Sequence, residues 1–274
     1  MKWQWRSGGN NKELKNIIVT DWEPLGATAA FSSRTGGVSA GVYKSLNLAL
    51  HVGDDKENVI NNRGKFLTAL GGDLRQGICC MQVHGHIVKA VNEKDCGKGV
   101  REYESAVPEC DALITGAPDV FLMTFYTDCF PIYLFDPEKK VIGLAHSGWK
   151  GTLAEIGKET VKKMQEIFDS SPDDIRVFIG PGIQACCFEI QEDLREKVAA
   201  KFGDKEQFAS SNGKRAIVWD LPATISYSLR QAGVKESNIV NCGLCSSCQE
   251  ETFFSHRRDK GFTGRMGAAI TLRR

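Results

Sequence analysis

The stretch Val120-Phe121-Leu122-Met123-Thr124-Phe125-Tyr126-Thr127-Asp128-Cys129-Phe130-Pro131-Ile132-Tyr133-Leu134-Phe135 decides the fold class. It is the longest apolar run of the chain, yet Asp128 and Pro131 break it. Neither half approaches the ~18 uninterrupted apolar residues of a membrane span. Short apolar runs bounded by breakers read instead as strands central to a sheet, here over 120–127 and 132–135. Cys129 falls at the interruption, where a strand end faces a loop, and function collects at such places on a rigid scaffold.

Working outward, further apolar or alternating runs at 27–33, 78–83, 87–91, 112–115, 141–145, 177–179, 217–219, 239–240 and 268–272 predict strands as well. Helical periodicity lies between them. It is clearest over 152–168, where Leu153, Ile156, Val161, Met164, Ile167 and Phe168 share one stripe. Thr152 stands as its cap, with Glu155 at the capping-box spacing. Weaker helical patterns cover 58–70, 192–202 and 222–232. Strands and helices mingle without a regular βαβ alternation, so the expectation is an α+β fold. No repeat, low-complexity tract or linker divides the chain, and 1–274 is read as a single domain of packed mixed β-sheets flanked by helices.

The 274 residues carry 35 basic and 34 acidic side chains, without the basic excess of a duplex binder, so no nucleic-acid partner is expected. The opening Met1-Lys2-Trp3-Gln4-Trp5-Arg6 lacks the apolar core of a signal peptide. With no span in sight, no membrane partner is expected and the expected location is cytoplasmic. In that reducing setting the ten cysteines are core thiols, metal ligands or nucleophiles rather than a disulfide framework.

Three residues stand at comparable places. His84 ends a predicted strand just before Gly85, Cys129 sits at the break described above, and His146 lies between a strand end and the strongest helix. Two neutral imidazoles and one thiolate suit Zn²⁺, and three protein ligands leave a fourth position open, as in catalytic zinc sites. The same His₂Cys set is also the core of a mononuclear copper site. The spacings in Cys242-Gly243-Leu244-Cys245-Ser246-Ser247-Cys248 look like half of a four-cysteine zinc site. Cys186-Cys187, however, is not spaced as its second half, so loop or core thiols are expected there.

The segments QVHG (82–85), TDCFPIYL (127–134) and HSGWKG (146–151) resemble the signature blocks of the YfiH/YlmD family. So do RTGGVS (34–39), LNLALHVGD (46–54) and FFSHRRDKGFTGR (253–265). These blocks occur in order from Arg34 to Arg265, and the resemblance is nearest to the YlmD branch. The block Gly180-Pro181-Gly182-Ile183-Gln184-Ala185-Cys186-Cys187 departs most from the family pattern. The family carries the laccase-domain, or multicopper polyphenol oxidase, label and includes purine nucleoside phosphorylases. The resemblance implies layers in the order α/β/β/α and one metal held by His84, Cys129 and His146. It also implies phosphorolysis of adenosine, inosine and methylthioadenosine, with adenosine deamination. The implied cofactor is Zn²⁺, with Cu²⁺ as the alternative, and the implied partners are purine nucleosides and phosphate. Nothing in the sequence sets the oligomeric state.

Such chemistry needs an anion site and a proton carrier. Arg34, beside Gly36 and Gly37, offers a guanidinium fork and close backbone N–H groups to a phosphate, or else caps a turn. Arg265 is a second anion candidate, with Arg257 and Arg258 as competitors. Asn47 and His51 either line the pocket or cap a turn. Asp128 is the candidate to shuttle protons during deamination, or orients its neighbour Cys129. Three other readings compete. Five histidines are too few for a multicopper cluster, but a single-copper polyphenol oxidase remains. A cysteine hydrolase would use Cys129 as nucleophile. A metal-stabilised interaction module would unfold on losing its ion.

Overall fold

In the computed structural model, which describes residues 1–8, 11–203, 208–211 and 216–274, the stretch 120–135 forms two strands in different sheets. Phe121–Tyr126 lies in one and Phe130–Asp136 in the other, and Asp128 turns the chain between them at φ +75°. A positive φ is costly for a residue with a Cβ, and aspartate bears it better than most.

The first sheet runs in the order Trp3–Gly8, Asn11–Val19, Ala27–Ser32, Met266–Leu272, Phe121–Tyr126, Gly77–Cys79; only the last pair is parallel. The second runs Ile239–Asn241, Arg176–Ile179, Phe130–Asp136, Val141–Ser147, Ala112–Thr115, Val88–Ala90, antiparallel inside and parallel at both edges. Glu189–Ile190, Ile217–Trp219 and Ala209–Ser211 form a small third sheet.

Strand alternation sorts the side chains into layers. From Phe130–Asp136, Tyr133 and Phe135 face the first sheet and pack with Phe31, Leu122 and Ile270. Phe130, Ile132 and Leu134 face the other way, onto Val161 and Met164 of the helix Ile156–Phe168 and Ile225 and Leu229 of the helix Leu221–Gln231. The outer face of the first sheet, with Ala30, Met123 and Ala269, is covered by Phe66 and Leu67 of the helix Lys56–Ala69. The result is α+β in the α/β/β/α order implied by the resemblance. No helix among the described residues is long and apolar enough to cross a membrane.

Several expectations need correction. The helix read over 152–168 is two helices, Trp149–Leu153 and Ile156–Phe168, because Glu155 adopts φ +56°. Its carboxylate is drawn away to the Ser228 hydroxyl and to Lys201. Thr152 caps nothing, since its hydroxyl donates to the carbonyl of Gly148 inside the first short helix. The strand read over 78–83 stops at Cys79. Beyond it, the N–H groups of Val83, His84 and Gly85 all donate to the carboxylate of Asp111 rather than to a neighbouring strand. The strands Trp3–Gly8 and Asn11–Val19 were not legible in the apolar pattern, because most of their residues up to Lys15 are exposed and polar.

Candidate metal centre

Two chain crossings between the sheets meet at one end of the sandwich. Residues 80–87 lead from Gly77–Cys79 in the first sheet to Val88–Ala90 in the second and carry His84 at φ +62°. Residues 127–129 make the second crossing and carry Cys129. His146 sits near the end of Val141–Ser147, paired in register with Pro131 two residues beyond Cys129. The fold thereby brings His84, Cys129 and His146 together: their donor atoms all lie within 4.8 Å of one another, and the two imidazoles meet edge-on with centroids 4.8 Å apart.

Asp111, which the sequence reading missed, organises this cluster. It is fully buried just ahead of Ala112–Thr115 and sits 2.8 Å from His146 Nδ1. Its three backbone donors from 83–85 shape the turn that presents His84. A proton on Nδ1, donated to the carboxylate, leaves Nε2 as a free donor atom, as in carboxylate–histidine–metal arrangements. The only sequence signal for Asp111 was an acid directly preceding an apolar strand.

Burial works to raise the Cys129 thiol, but the imidazoles of His146 and His84 outweigh it and bring it down to about 6. Burial likewise works to lower His146, but Cys129 and Asp111 outweigh it and lift it to about 9. The protein by itself thus favours a thiolate beside an imidazolium. A divalent cation can take the place of that shared proton, because it requires the thiolate and a neutral imidazole. Gly148 keeps the space open, as a Cβ there would stand 2.8 Å from Cys129 Sγ. The donor set, its buried carboxylate and the room beside the sulfur all suit a single metal ion.

The cluster lies in a cleft of about 670 Å³, a size common for small-molecule sites. Phe125, Trp149, Phe188 and Leu221 give it apolar walls, while His51, Asp128, Arg257 and Arg265 are among its polar groups. Burial, followed by the charge of Arg265, pulls the His51 imidazole down to about 4, so this rim residue is neutral at neutral pH. Arg257 and Arg265 donate to carbonyls, and neither has a carboxylate in ion-pair contact among the described residues.

Other candidates fall elsewhere. Arg34 is absent from this lining; it donates to the carbonyls of Lys44 and Glu250, lies over the ring of Phe254 and borders a separate depression. Those contacts tie the segments around Lys44 and Glu250 to Arg34. Asn47 is fully buried outside the cleft, where its Oδ1 accepts the N–H of Arg265. Arg258 is held by Asp259 and by the carbonyls of Ser246, Ser247 and Phe253. Asp128 does border the cleft, but one oxygen accepts the Ser246 hydroxyl at 2.6 Å and the other the N–H of Arg257 at 2.7 Å. Those bonds fix the loop next to Cys129.

Comparison with known proteins places these features in a family. The family model described as "Multi-copper polyphenol oxidoreductase laccase" matches residues 28–273. The chain belongs to this laccase family. It is 34% identical to purine nucleoside phosphorylase YlmD of Bacillus subtilis over 262 residues, 94% of each chain. It is 39% identical to purine nucleoside phosphorylase YlmD of Geobacillus stearothermophilus over 251 residues, covering 90% of this chain and 91% of that one. Among solved structures, a hypothetical protein YfiH of Bacillus licheniformis superposes with a TM-score of 0.91 at 32% identity, covering 98% and 99% of the two chains. YlmD of Geobacillus stearothermophilus superposes at 0.87 with 37% identity, covering 91% and 93%. Both structures share the mixed α+β architecture described above.

Proposed function

We propose that the chain is a metal-dependent purine nucleoside phosphorylase acting on adenosine, inosine and methylthioadenosine, with adenosine deamination as a second reaction. The observation that carries this reading is the three-donor cluster in an aromatic-walled cleft, in a chain aligned nearly end to end with proteins named purine nucleoside phosphorylases. In this reading His84, Cys129 and His146 hold one Zn²⁺, which supplies Lewis acidity and a lowered water pKa when bound.

The remaining work belongs to the chain's own groups. Phe125, Trp149 and Phe188 offer flat apolar surface to a purine and exclude water from its faces. Arg265 and Arg257, without carboxylate partners among the described residues, attract the phosphate into the cleft and keep it oriented. In phosphorolysis a phosphate oxygen forms a bond to C1′ of the ribose as the C1′–N9 bond breaks. The purine leaves with that electron pair and takes up a proton. Neutral His51 at the rim is a hydrogen-bond partner for the sugar or base. Asp128 holds the loop that presents Cys129.

The test is incubation of zinc-loaded protein with adenosine, with and without phosphate, followed by mass spectrometry. Adenine and ribose 1-phosphate are expected only with phosphate, and inosine in either case. Appearance of neither set of products overturns the proposal. Loss of activity on chelation and its return with zinc separates this reading from a Cys129 hydrolase, which needs no ion.

A further inference from the structure

Away from the cleft floor, a second cluster of donors is assembled from two segments far apart in sequence. Cys186 and Cys187 lie in the turn after Gly182, while Cys245 and Cys248 lie in the turn that follows Ile239–Asn241. The four sulfurs all lie within 4.8 Å of one another. This overturns the expectation of separate loop thiols. The pair Cys245/Cys248 does find its second half, but as two adjacent cysteines, a spacing no sequence pattern for zinc sites anticipates.

The separations are informative. Cys186 Sγ lies 3.8 Å from Cys187 Sγ and 3.6 Å from Cys248 Sγ, and Cys187 Sγ lies 3.4 Å from Cys248 Sγ. A tetrahedron of sulfurs bound at about 2.3 Å to zinc has edges of about 3.8 Å. A disulfide would bring two sulfurs to about 2.05 Å. Four sulfurs this close leave no room for an iron–sulfur cube between them, but they do enclose the centre of a single ion. Backbone N–H groups of Gln184 and Cys248 also point at Cys245 Sγ, as donors do around a metal-bound thiolate.

We propose that Cys186, Cys187, Cys245 and Cys248 bind one zinc ion in a closed, tetrahedral, four-thiolate site, distinct from the three-donor centre. On binding, each thiol releases its proton and the sulfur lone pair goes to the metal. With all four positions filled by protein the ion has no open site for a reactant, so its role is structural. What it clamps follows from the neighbours. Gly182 and Cys245 form an isolated bridge, with Gly182 N–H donating to the Leu244 carbonyl and Ser246 N–H to that of Gly182. One segment runs on into Phe188, Glu189 and Ile190 of the cleft wall; the other carries Ser246, which donates to Asp128 beside Cys129. The ion ties this side of the cleft wall, which Arg257 also holds through the carbonyls of Cys187 and Glu189, to the loop under the first centre.

The test is zinc stoichiometry of the full-length, reduced protein after loading and removal of loosely held ion. The unsubstituted chain is expected to hold two zinc ions, and Cys129→Ala and Cys245→Ser one each. Cys248→Ser, at an exposed position, repeats the second arm should the buried Cys245 substitution perturb folding. X-ray absorption at the zinc edge of the Cys129→Ala protein is expected to give four sulfur neighbours at about 2.3 Å. A zinc-free Cys129→Ala protein, nitrogen or oxygen in that shell, iron in place of zinc, or a Cys187–Cys248 disulfide persisting under reductant each overturns the proposal. None of these readouts depends on nucleoside turnover, so this proposal and the proposed activity stand or fall separately.

Discussion

Asp111 and His146 are joined twice: the Asp111 carbonyl accepts the His146 N–H at 2.7 Å, and its carboxylate meets Nδ1 at 2.8 Å, with both side chains buried. The first bond fixes the strand register and the second fixes the ring, so the orientation of the imidazole leaves little freedom. The same carboxylate also receives N–H groups from Val83, His84 and Gly85. One residue therefore holds two of the three donors in place.

Asp111→Asn keeps the size of the side chain but replaces one acceptor oxygen with a donor amide, which faces backbone N–H groups instead of accepting them. Zinc affinity measured by competition with a chromophoric chelator is expected to fall roughly 10–100-fold, the usual cost of losing a partner behind a metal-bound histidine. Unchanged affinity would show that Asp111 is a purely structural acid.

Gly148→Ala changes no donor atom. Its Cβ would meet Cys129 Sγ at 2.8 Å, closer than such atoms pack, and would touch the His84 ring at 3.4 Å. The cluster must open to admit the methyl group. Loss of metal from the three-donor site is expected, with overall stability lowered by about 1–3 kcal/mol as for other overpacked sites. Retention of full zinc occupancy at this site, read in a Cys245→Ser background, would contradict the geometry.

Arg265→Ala and Arg34→Ala discriminate between the two anion candidates. Arg265 borders the cleft, whereas Arg34 is held at a different depression. Removing a hydrogen bond to a charged group costs about 1.5–3 kcal/mol, which corresponds to roughly 10–150-fold in affinity. The KM for phosphate is expected to rise by about that factor in Arg265→Ala, with the nucleoside KM changed far less, and to stay near the original value in Arg34→Ala. The reverse ranking would move the phosphate away from the cleft.

The contrast between Arg34 and Arg265 shows what sequence can and cannot convey here. Both sit in conspicuous Gly-Arg or Arg-x-Gly contexts, and only the packing of Phe254 under Arg34 and of Asn47 behind Arg265 separates them. Strands such as Ala112–Thr115 and Ile217–Trp219 were legible because both faces are apolar or local alternation is clear. The assignment of 121–126 and 130–136 to different sheets was not, because a sheet change at Asp128 leaves no mark on hydrophobic periodicity. The assembly of Cys186, Cys187, Cys245 and Cys248 was hidden for a similar reason: their proximity depends on the Gly182–Cys245 bridge, a long-range pairing. The break in the helix at Glu155 came from tertiary partners overriding a favourable local pattern.

Those partners make the last prediction. Glu155 accepts the Ser228 hydroxyl at 2.7 Å, lies 2.8 Å from Lys201 Nζ and 3.6 Å from Lys158 Nζ, and is mostly buried. Burial works to raise its carboxyl, but Lys201, Ser228 and Lys158 outweigh it and the net shift is downward from the usual value. A carboxylate whose folded pKa is depressed contributes stability that is fully present above the unfolded pKa and is lost as pH falls through the folded one. Glu155→Gln keeps the left-handed turn and an acceptor for Ser228 but presents a neutral amide to two lysines. Urea unfolding is expected to show the variant about 1 kcal/mol less stable at neutral pH, the range of a partly exposed ion-pair network. Below the normal carboxyl range the two proteins should converge, since the native residue is then protonated too. A deficit that persists unchanged into acid would mean that packing at Glu155, and not its charge, joins the helix Ile156–Phe168 to its neighbours.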